Sequence, residues 1–417
     1  MNDKILKYID NCESCVTKPC QIGCPLNNDI TGFISKLNIG EVEEAFNILN
    51  KTTVLAPVCG RICPHFQQCQ GKCVKGVSYE AVEIGKLETF VGDTALEKGW
   101  KFVSPSETKY RVAVVGAGPS GLTCAAFLRR NGIAVTLYEK HDYLGGLLVH
   151  GIPEFRLPKT VVKQVTDNIV DLGIEVKTGM ELGKNLSLGE LEKNYDAIFI
   201  GIGANISNNM NIPGEELNGV YGGNELLEYN NHPNYQGKTV IVSGGGNVAM
   251  DVSRTAIRNG AKKVIVVYRR SENEMPADKK EIEEAKEDGV EFLFLSTITK
   301  VLGEDKATGI EVLKNELVQK EGESRLSPVP IEGSEYVIDC DYVMMAIGSH
   351  PESYVETFDL EKNRGRIQID ENGTTNNPKI FSGGDVAGSK GTVAWASRAG
   401  RNAAYAIIDF LNKKSLN

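Results

Sequence analysis

The segment that decides the fold is residues 111–140, RVAVVGAGPSGLTCAAFLRRNGIAVTLYEK. Its apolar run Val112–Val115 predicts a buried strand, and a second apolar run, Val135–Tyr138, ends on the acid Glu139. Between the two lie a helical stretch and the three glycines of a G-x-G-x-x-G turn, Gly116, Gly118 and Gly121. Strand, turn, helix, strand and terminal acid in one short unit predict a dinucleotide-binding βαβ domain.

Each part of this unit has a role in holding a dinucleotide. The first glycine permits the tight turn, the second lets the backbone approach the pyrophosphate, and the third lets the helix pack close to the strand. Pro119 and Ser120 begin the helix, whose free N–H groups and dipole favour the pyrophosphate charge. We expect Glu139 to accept hydrogen bonds from ribose hydroxyls.

A second unit of the same kind spans residues 238–270, KTVIVSGGGNVAMDVSRTAIRNGAKKVIVVYRR. Its strand Val240–Val242 leads into a glycine turn and the start of a helix, at Gly244, Gly245, Gly246, Asn247 and Val248. Its second strand ends on Arg269 and Arg270, where the first unit ends on an acid. Two guanidiniums attract a ribose 2′-phosphate, whereas an acid would repel it. The pair therefore favours NADP(H) over NAD(H), the alternative being two arginines on a solvated strand end.

Cysteines are concentrated at the N-terminus. Eight of the ten occur in the first 73 residues, in the patterns C-x2-C-x4-C-x3-C-P and C-x3-C-P-x4-C-x3-C. Three close cysteines and a fourth before proline match the bacterial ferredoxin run, in which the fourth crosses to the other cluster. Zinc sites more often use short C-x-x-C pairs with histidine, so we favour iron–sulfur over zinc. Cys124 and Cys340 stand alone on apolar segments and are interpreted as plain buried cysteines.

Cross-ligation gives a specific hypothesis for two [4Fe-4S] clusters. The first cluster would be held by Cys12, Cys15, Cys20 and Cys73. The second would take three ligands from Cys24, Cys63 and Cys69. Its fourth ligand stays open at this point, with Cys59 as the simplest choice.

Composition excludes several classes of protein. The 417 residues carry 46 basic and 55 acidic side chains, a net charge of −9, with no long basic run, which argues against a nucleic-acid partner. No apolar stretch approaches the roughly 18–20 residues that a membrane span requires. The N-terminus, MNDKILKYIDNCESC, lacks the apolar core of a signal peptide. We therefore expect a cytoplasmic protein without membrane association.

Taken together, the motifs resemble one flavin-dependent family over nearly the whole chain. The resemblance rests on VVGAGPSGL, LGGLLVHGIPEFRLP, GGGNVAMDVSRTA, VVYRR and GGD in this order behind the cysteine-rich segment. The family includes the glutamate synthase small subunit, the N-terminal half or small subunit of dihydropyrimidine dehydrogenase, and the large subunit of electron-bifurcating transhydrogenase. It implies an α/β fold with two nested Rossmann-like domains behind a small helical domain that binds two [4Fe-4S] clusters.

The resemblance also implies cofactors, residues and boundaries. FAD belongs in the first nucleotide domain, against Gly145, Gly146, Arg156, Gly384, Asp385, Thr392 and Val393, and NADP(H) in the second. Some members replace a cluster cysteine with Glu or Gln at the position of Glu88, so we prefer Glu88 to Cys59 as the last ligand. The expected domains are 1–105 for the clusters, 106–235 with 345–417 for FAD, and 236–344 for NADP(H).

The function implied is electron transfer from NADPH through FAD and the clusters to a partner subunit. A glutamate synthase type is favoured, and the alternatives are a dihydropyrimidine dehydrogenase small subunit or a stand-alone reductase for polysulfide or ferredoxin. No nucleophile, triad or general base is evident among the residues, and the second nucleotide unit lacks the C-x-x-C of a disulfide shuttle. A non-catalytic scaffold is disfavoured, because both nucleotide fingerprints are intact. The organic substrate is expected on a partner subunit.

Overall fold

The computed structural model describes residues 3–320, 322 and 325–416, and their contacts divide the chain into two compact units. One unit combines the residues up to Ala204 with those from Pro351 onward, and the other is Asn205–His350. The finer division into a cluster domain, an FAD domain and an NADP(H) domain stays a prediction.

The first unit begins with a helical cap. Its α-helices are α1 (Asp3–Asp10), α2 (Pro19–Gly23), α3 (Ile30–Asn38), α4 (Val42–Leu49), α5 (Ala56–Ile62) and α6 (Ile84–Lys98). The Asp29 carboxylate caps α3 by accepting from the Gly32 N–H at 3.3 Å. Gly99 ends α6 with a φ of +68°, in the left-handed region that glycine adopts readily.

An α/β segment follows the cap in the same unit. Its elements are β1 (Arg111–Val115), α7 (Pro119–Arg129), β2 (Ala134–Tyr138), α8 (Leu147–His150), α9 (Lys159–Val170), β3 (Glu175–Lys177), α10 (Leu188–Asn194) and β4 (Ala197–Ile200). Strand β1 is buried at four consecutive residues rather than at alternate ones, as befits a parallel strand covered on both faces.

The second unit repeats this plan and adds an antiparallel sheet. It contains β5 (Ile206–Ser207), β6 (Val220–Gly222), α11 (Gly223–Tyr229), β7 (Thr239–Ser243), α12 (Asn247–Arg258), β8 (Lys263–Val267), α13 (Lys279–Glu287), β9 (Glu291–Leu293), β10 (Ser296–Gly303), β11 (Ala307–Val318), β12 (Ser327–Pro330), β13 (Tyr336–Asp339), β14 (Tyr342–Met345) and β15 (Ser349–His350). A parallel sheet has the order β6-β14-β7-β8-β9, and β11 pairs with β10, β12 and β13 in the antiparallel sheet.

The chain then returns to the first unit. It adds β16 (Lys362–Asn363), β17 (Arg366–Ile367), β18 (Ile380–Ser382) and the long helix α14 (Val393–Leu416). The parallel sheet of this unit has the order β18-β4-β1-β2-β3. In both parallel sheets the strand that leads into the glycine turn, β1 or β7, is central. Ligands of such sheets bind at the carboxyl ends of the strands, which is where both turns lie.

These elements confirm the expected fold class. Two Rossmann-like sheets are present, the second inserted between β4 and β16 of the first, with a helical segment ahead of both. Within the described parts of the chain, every helix is too short or too polar to cross a lipid bilayer.

Candidate functional site

The first glycine turn has no room for side chains. Gly116 has a φ of +97°, and a Cβ there would lie 2.5 Å from the Gly201 carbonyl oxygen. A Cβ at Gly121 would lie 1.8 Å from the Gly116 carbonyl oxygen. Backbone therefore packs directly on backbone at the end of β1. Because the glycines of the turn have no side chains, they do not cover the N-terminus of α7.

Glu139 lies at the end of β2 and is tied to this turn. Its side chain is buried, and Oε2 accepts from the Ala117 N–H at 2.8 Å while Oε1 accepts from the His141 N–H at 3.0 Å. These two bonds fix the carboxylate beside the glycine turn, at the position where the fingerprint places a ribose.

A second pair of glycines approaches the same turn. Gly145 and Gly146 have φ values of +130° and +54°, and a Cβ at Gly146 would lie 2.8 Å from the Gly118 Cα. Arg156 is half-buried in the loop between α8 and α9. The loop that carries the predicted flavin contacts therefore lies against the fingerprint turn.

The C-terminal segment brings Asp385 into the first unit's site. Gly384 has a φ of +78° and a Cβ there would lie 2.6 Å from the Ser120 hydroxyl, so the segment lies beside the start of α7. Burial raises the pKa of the Asp385 carboxyl, and the Arg366 guanidinium opposes that rise. Among the described residues, no group donates a hydrogen bond to the buried Oδ1 of Asp385. A buried acceptor without a donor fits a ligand hydroxyl, such as those of a ribityl chain.

The end of this segment is held by the cap. The Thr392 hydroxyl accepts from Gln68 Nε2 at 3.4 Å, and Val393, half-buried, begins α14. The Thr123 and Ser397 hydroxyls share a hydrogen bond of 2.8 Å, which fixes α14 against α7.

The second glycine turn repeats the close packing of the first. Gly244 has a φ of +142°, and a Cβ there would lie 2.2 Å from the Ala346 carbonyl oxygen. A Cβ at Gly245 would lie 2.5 Å from the Tyr268 ring, whereas a Cβ at Gly246 meets no atom within 4 Å. The turn is thus closed on one side by Tyr268 and open at Gly246.

The flanking residues differ in exposure. Arg269 is exposed, and Arg270 is half-buried with its Nε donating to the Leu326 carbonyl at 2.7 Å. Asn247 Oδ1 accepts from the Asp278 N–H at 3.0 Å, and Val248 is half-buried at the start of α12. The two arginines follow β8 at the same sheet edge as the turn.

The first predicted group of cysteines lines a single cavity of the cap. All four members border it, Cys12, Cys15, Cys20 and Cys73. Burial raises the pKa of the Cys20 thiol to about 11, and the neighbouring Cys12 and Cys73 add to the rise. Four thiols around one cavity are the donor set of a cubane cluster, and cluster binding would displace their protons.

The second group contains both candidates for the last ligand. A hydrogen bond with Cys59, then burial and the nearby Cys59 and Glu88 groups, raise the pKa of the Cys63 thiol. Burial, and next the nearby Glu88 carboxylate, raise the pKa of the Cys24 thiol to about 12. Cys69 is buried and lies near Cys24 and Glu88. These groups are therefore mutual neighbours, so this packing accommodates Glu88 and Cys59 alike.

Glu88 is buried on α6, where burial raises the pKa of its carboxyl to about 8. Asn28 Nδ2 donates to its Oε1 at 3.3 Å. In neither cysteine group do three cysteine, histidine or acidic side chains of the described residues converge on one metal ion. A cubane does not require such convergence, because each of its irons takes a separate thiolate.

Several residues of these sites were missed from the sequence. Gly201 and Ala346 close the two glycine turns with their backbone carbonyl groups. Asn28 and Arg366 carry no local signal, because their partners lie 60 and 19 residues away. Cys124 and Cys340 are buried, as expected.

Comparisons with known proteins agree with this geometry. Residues 110–403 match the family model of pyridine nucleotide-disulphide oxidoreductases. Residues 2–100 match that of the 4Fe-4S cluster domain II of dihydropyrimidine dehydrogenase.

Similar proteins extend the match to whole chains. The glutamate synthase [NADPH] small chain of Halomonas elongata is 37% identical, over 96% of this chain and 89% of its own length. The Escherichia coli small chain is 35% identical, over 96% and 90%. This chain belongs to the glutamate synthase small-chain family. The formate dehydrogenase subunit beta of Moorella thermoacetica is 34% identical over 95% of this chain and 60% of its own length.

Solved structures share the fold of this member of the glutamate synthase small-chain family over about three quarters of its length. Mycobacterium tuberculosis FprA in complex with NADPH has a TM-score of 0.67 at 21% identity, over 74% of this chain and 86% of its own. The thioredoxin reductase of T. acidophilum has a TM-score of 0.55 at 19% identity, over 73% and 98%.

Family membership confirms the expected type of activity. The chain is an oxidoreductase, and its cofactors are FAD, NADP(H) and [4Fe-4S] clusters, as the sequence indicated.

Proposed function

We propose that this protein is the electron-input subunit of a larger enzyme, which oxidises NADPH and delivers electrons through its iron–sulfur cap to a partner subunit. The observation that carries this proposal is the position of the second cysteine group. Cys59 belongs to the same hydrophobic core as β1 and α7, and Cys24 and Cys63 pack against that core. The cap and the α/β segment that follows it, residues 111–200, are therefore joined where a cluster would lie. We call this α/β segment the flavin-binding segment.

The FAD site would use the residues around the first glycine turn. Backbone at Gly116, Gly118, Pro119, Ser120 and Gly121 would hold the pyrophosphate, and Glu139 the ribose. The remaining contacts would come from Gly145, Gly146, Arg156, Gly384, Asp385, Thr392 and Val393. Asp385 supports this assignment, since its buried Oδ1 is available to a ligand hydroxyl. When bound, FAD accepts a hydride as an electron pair, and clusters carry single electrons.

The NADP(H) site would use the second turn. Gly245, Gly246, Asn247 and Val248 would lie against the pyrophosphate, and Arg269 and Arg270 would bind the 2′-phosphate. The exposure of Arg269 supports the last assignment, because its guanidinium can reach a ligand.

The clusters would be held in two sites of the cap. The first takes Cys12, Cys15, Cys20 and Cys73. The second takes Cys24, Cys63, Cys69 and Glu88. Glu88 is favoured over Cys59 because the resemblance places a ligand at its position and Asn28 already orients its carboxylate.

The partner would be a glutamate synthase large subunit. This rests on relatives named as glutamate synthase small chains, which this chain covers over 89% and 90% of their length. The formate dehydrogenase relative supports other electron-accepting partners for the same type of chain. We also propose a cytoplasmic location, because abundant unpaired cysteines suit a reducing compartment.

Loss of one cluster tests the electron path. In a Cys69→Ala variant, rapid mixing with NADPH should still bleach the flavin absorbance, because hydride arrives through the second unit. Turnover with ferricyanide should persist, while turnover with the purified partner subunit should collapse. Partner turnover at the wild-type rate would instead mean that electrons leave from the flavin directly. A Cys124→Ala variant is the matched control, since Cys124 is a buried cysteine outside both groups.

A further inference from the structure

The segment before β12 brings a third arginine to the end of β8. Arg325 Nη2 donates to the Tyr268 hydroxyl at 3.0 Å and to the Glu274 carbonyl oxygen. The adjacent Leu326 carbonyl accepts from Arg270 Nε at 2.7 Å. Arg325 is thus fixed beside Arg269 and Arg270, although 55 residues separate it from the nearer of them in sequence.

Tyr268 connects this arginine to the glycine turn. Its ring is the group that a Cβ at Gly245 would meet, and its hydroxyl donates to the Glu274 carbonyl at 2.8 Å. The contacts of Arg325 with described residues are made by Nη2. An arginine guanidinium carries five N–H donors, so anchoring through one nitrogen leaves donors for a second partner.

Among the described residues, the two acids next to this strand end are engaged by other groups. Glu272 is paired with Lys286 at 2.6 Å. The Glu274 carboxylate accepts from the Ser271 N–H and hydroxyl at 3.2 and 2.5 Å. Three arginines therefore lie at or beside the end of β8, and the described carboxylates next to them are engaged by other groups. Such a cluster is suited to a phosphate dianion, which guanidiniums bind bidentately.

We infer that Arg325 is a third specificity-determining residue for the 2′-phosphate of NADPH, supplied by the antiparallel sheet rather than by the βαβ unit. This rests on the proposed function, which assigns NADPH to the second unit. In this site Arg269 and Arg270 come from the strand end, and Arg325 closes over the phosphate from the neighbouring segment. The role is binding and discrimination, with no part in hydride transfer.

Binding of two nucleotide fragments to the intact flavoprotein tests the inference. Isothermal titration calorimetry with 2′,5′-ADP and 5′-AMP isolates the contribution of the 2′-phosphate. Arg325→Ala should weaken 2′,5′-ADP binding about tenfold or more, the size of one charged hydrogen bond, and leave 5′-AMP binding unchanged. Arg325→Lys should retain part of the preference, because it keeps the charge and loses the bidentate geometry. Lys263→Ala is the control, since it also removes one positive charge, at the start of β8, where Lys263 is paired with Glu291.

The outcomes separate this inference from the proposed function. Equal weakening of both fragments would mean that Arg325 only supports Tyr268 and Glu274, and would overturn the inference. If Arg325→Ala prefers 2′,5′-ADP over 5′-AMP as strongly as the wild type does, the inference is overturned as well, but the NADPH assignment stays intact. A wild-type protein that binds both fragments equally would overturn the NADPH assignment and the inference together. Wherever the NADPH assignment holds, the Arg269→Ala/Arg270→Ala double variant should lose its preference for 2′,5′-ADP over 5′-AMP.

Discussion

At the scale of single residues, Glu88 is a carboxyl placed among thiols. It is 5% exposed, and burial raises the pKa of its carboxyl to about 8. A buried carboxylate needs a compensating positive partner. Its hydrogen-bond donor among the described residues, the Asn28 amide, is neutral. Without a positive partner the carboxyl keeps its proton at neutral pH, whereas an iron atom would favour the carboxylate, which is the physical reason for placing Glu88 in the second cluster.

Substitution of the two candidates should separate them. Glu88→Ala removes the candidate oxygen ligand, so we expect loss or alteration of the second cluster and normal first-cluster content. Cys59→Ser should leave both clusters intact. Iron analysis and Mössbauer spectroscopy of anaerobically purified protein measure both effects. The reverse pattern would identify Cys59 as the ligand.

The sequence predicted some residues better than others for a physical reason. Cysteine spacing encodes a local loop geometry, and the four cysteines of the first group do line one cavity. The fourth ligand of the second cluster depends instead on how α6 packs against the cysteine loops, which spacing does not specify. Arg325 was missed for the same reason, because its approach to β8 depends on pairing within the antiparallel sheet.

At the scale of elements, one arginine joins two helices of the second unit. Arg254 on α12 has a side chain only 4% exposed and contacts three acids of α13 and its end, Glu281, Glu284 and Asp288, at 2.9, 2.7 and 2.8 Å. Helix α12 begins at the glycine turn, so this cluster holds the predicted pyrophosphate-binding end of the helix in place.

Removal of this arginine should destabilise both helices. Arg254→Met removes the cation paired with the Glu281 carboxylate, which is 11% exposed, and weakens the pairing of Glu284 and Asp288, so we expect a loss of about 3–5 kcal/mol in local stability. Hydrogen–deuterium exchange of peptides from α12 and α13 measures this loss. Lys263→Met, which breaks the exposed pair with Glu291, should cost less than about 1 kcal/mol. If the α12 and α13 amides were equally protected from exchange in the two variants, the assigned role of Arg254 would be contradicted.

The same cluster gives a pH dependence. Burial alone would raise the pKa values of Asp288 and Glu284, but hydrogen bonds from Arg254, and for Asp288 also from Arg258, hold both below their ordinary values of 3.8 and 4.5. Because both pKa values are lower in the folded protein, the stabilisation is complete above pH 4.5 and is lost as pH falls through the folded values. Thermal unfolding across this range should show a smaller acid dependence in Arg254→Met.

At the scale of the whole chain, the two cluster sites differ in what surrounds them. Cys20 lies in the core of the cap, against which Cys12 and Cys73 also pack. In the second group, Cys24 and Cys63 pack against the core shared with the flavin-binding segment, while Cys69 lies in the core of the cap, which Cys24 also contacts. Arg401 of α14 strengthens that junction by donating from Nη1 to the Leu26 and Thr52 carbonyls, each at 2.8 Å. The first site is therefore peripheral to the flavin-binding segment, and the second is adjacent to it.

This arrangement predicts that the first cluster can be lost alone. In Cys15→Ala, iron should fall from about eight atoms per chain to about four, because one cubane is lost and the other keeps its ligands. FAD content should stay at one per chain, since the residues around Asp385 and the first glycine turn lie outside the first cavity. Iron analysis, flavin absorbance and reduction by NADPH measure the three properties on one sample. Loss of FAD with the first cluster would mean that the whole cap folds around its iron, and that the flavin-binding segment depends on the cap for its stability.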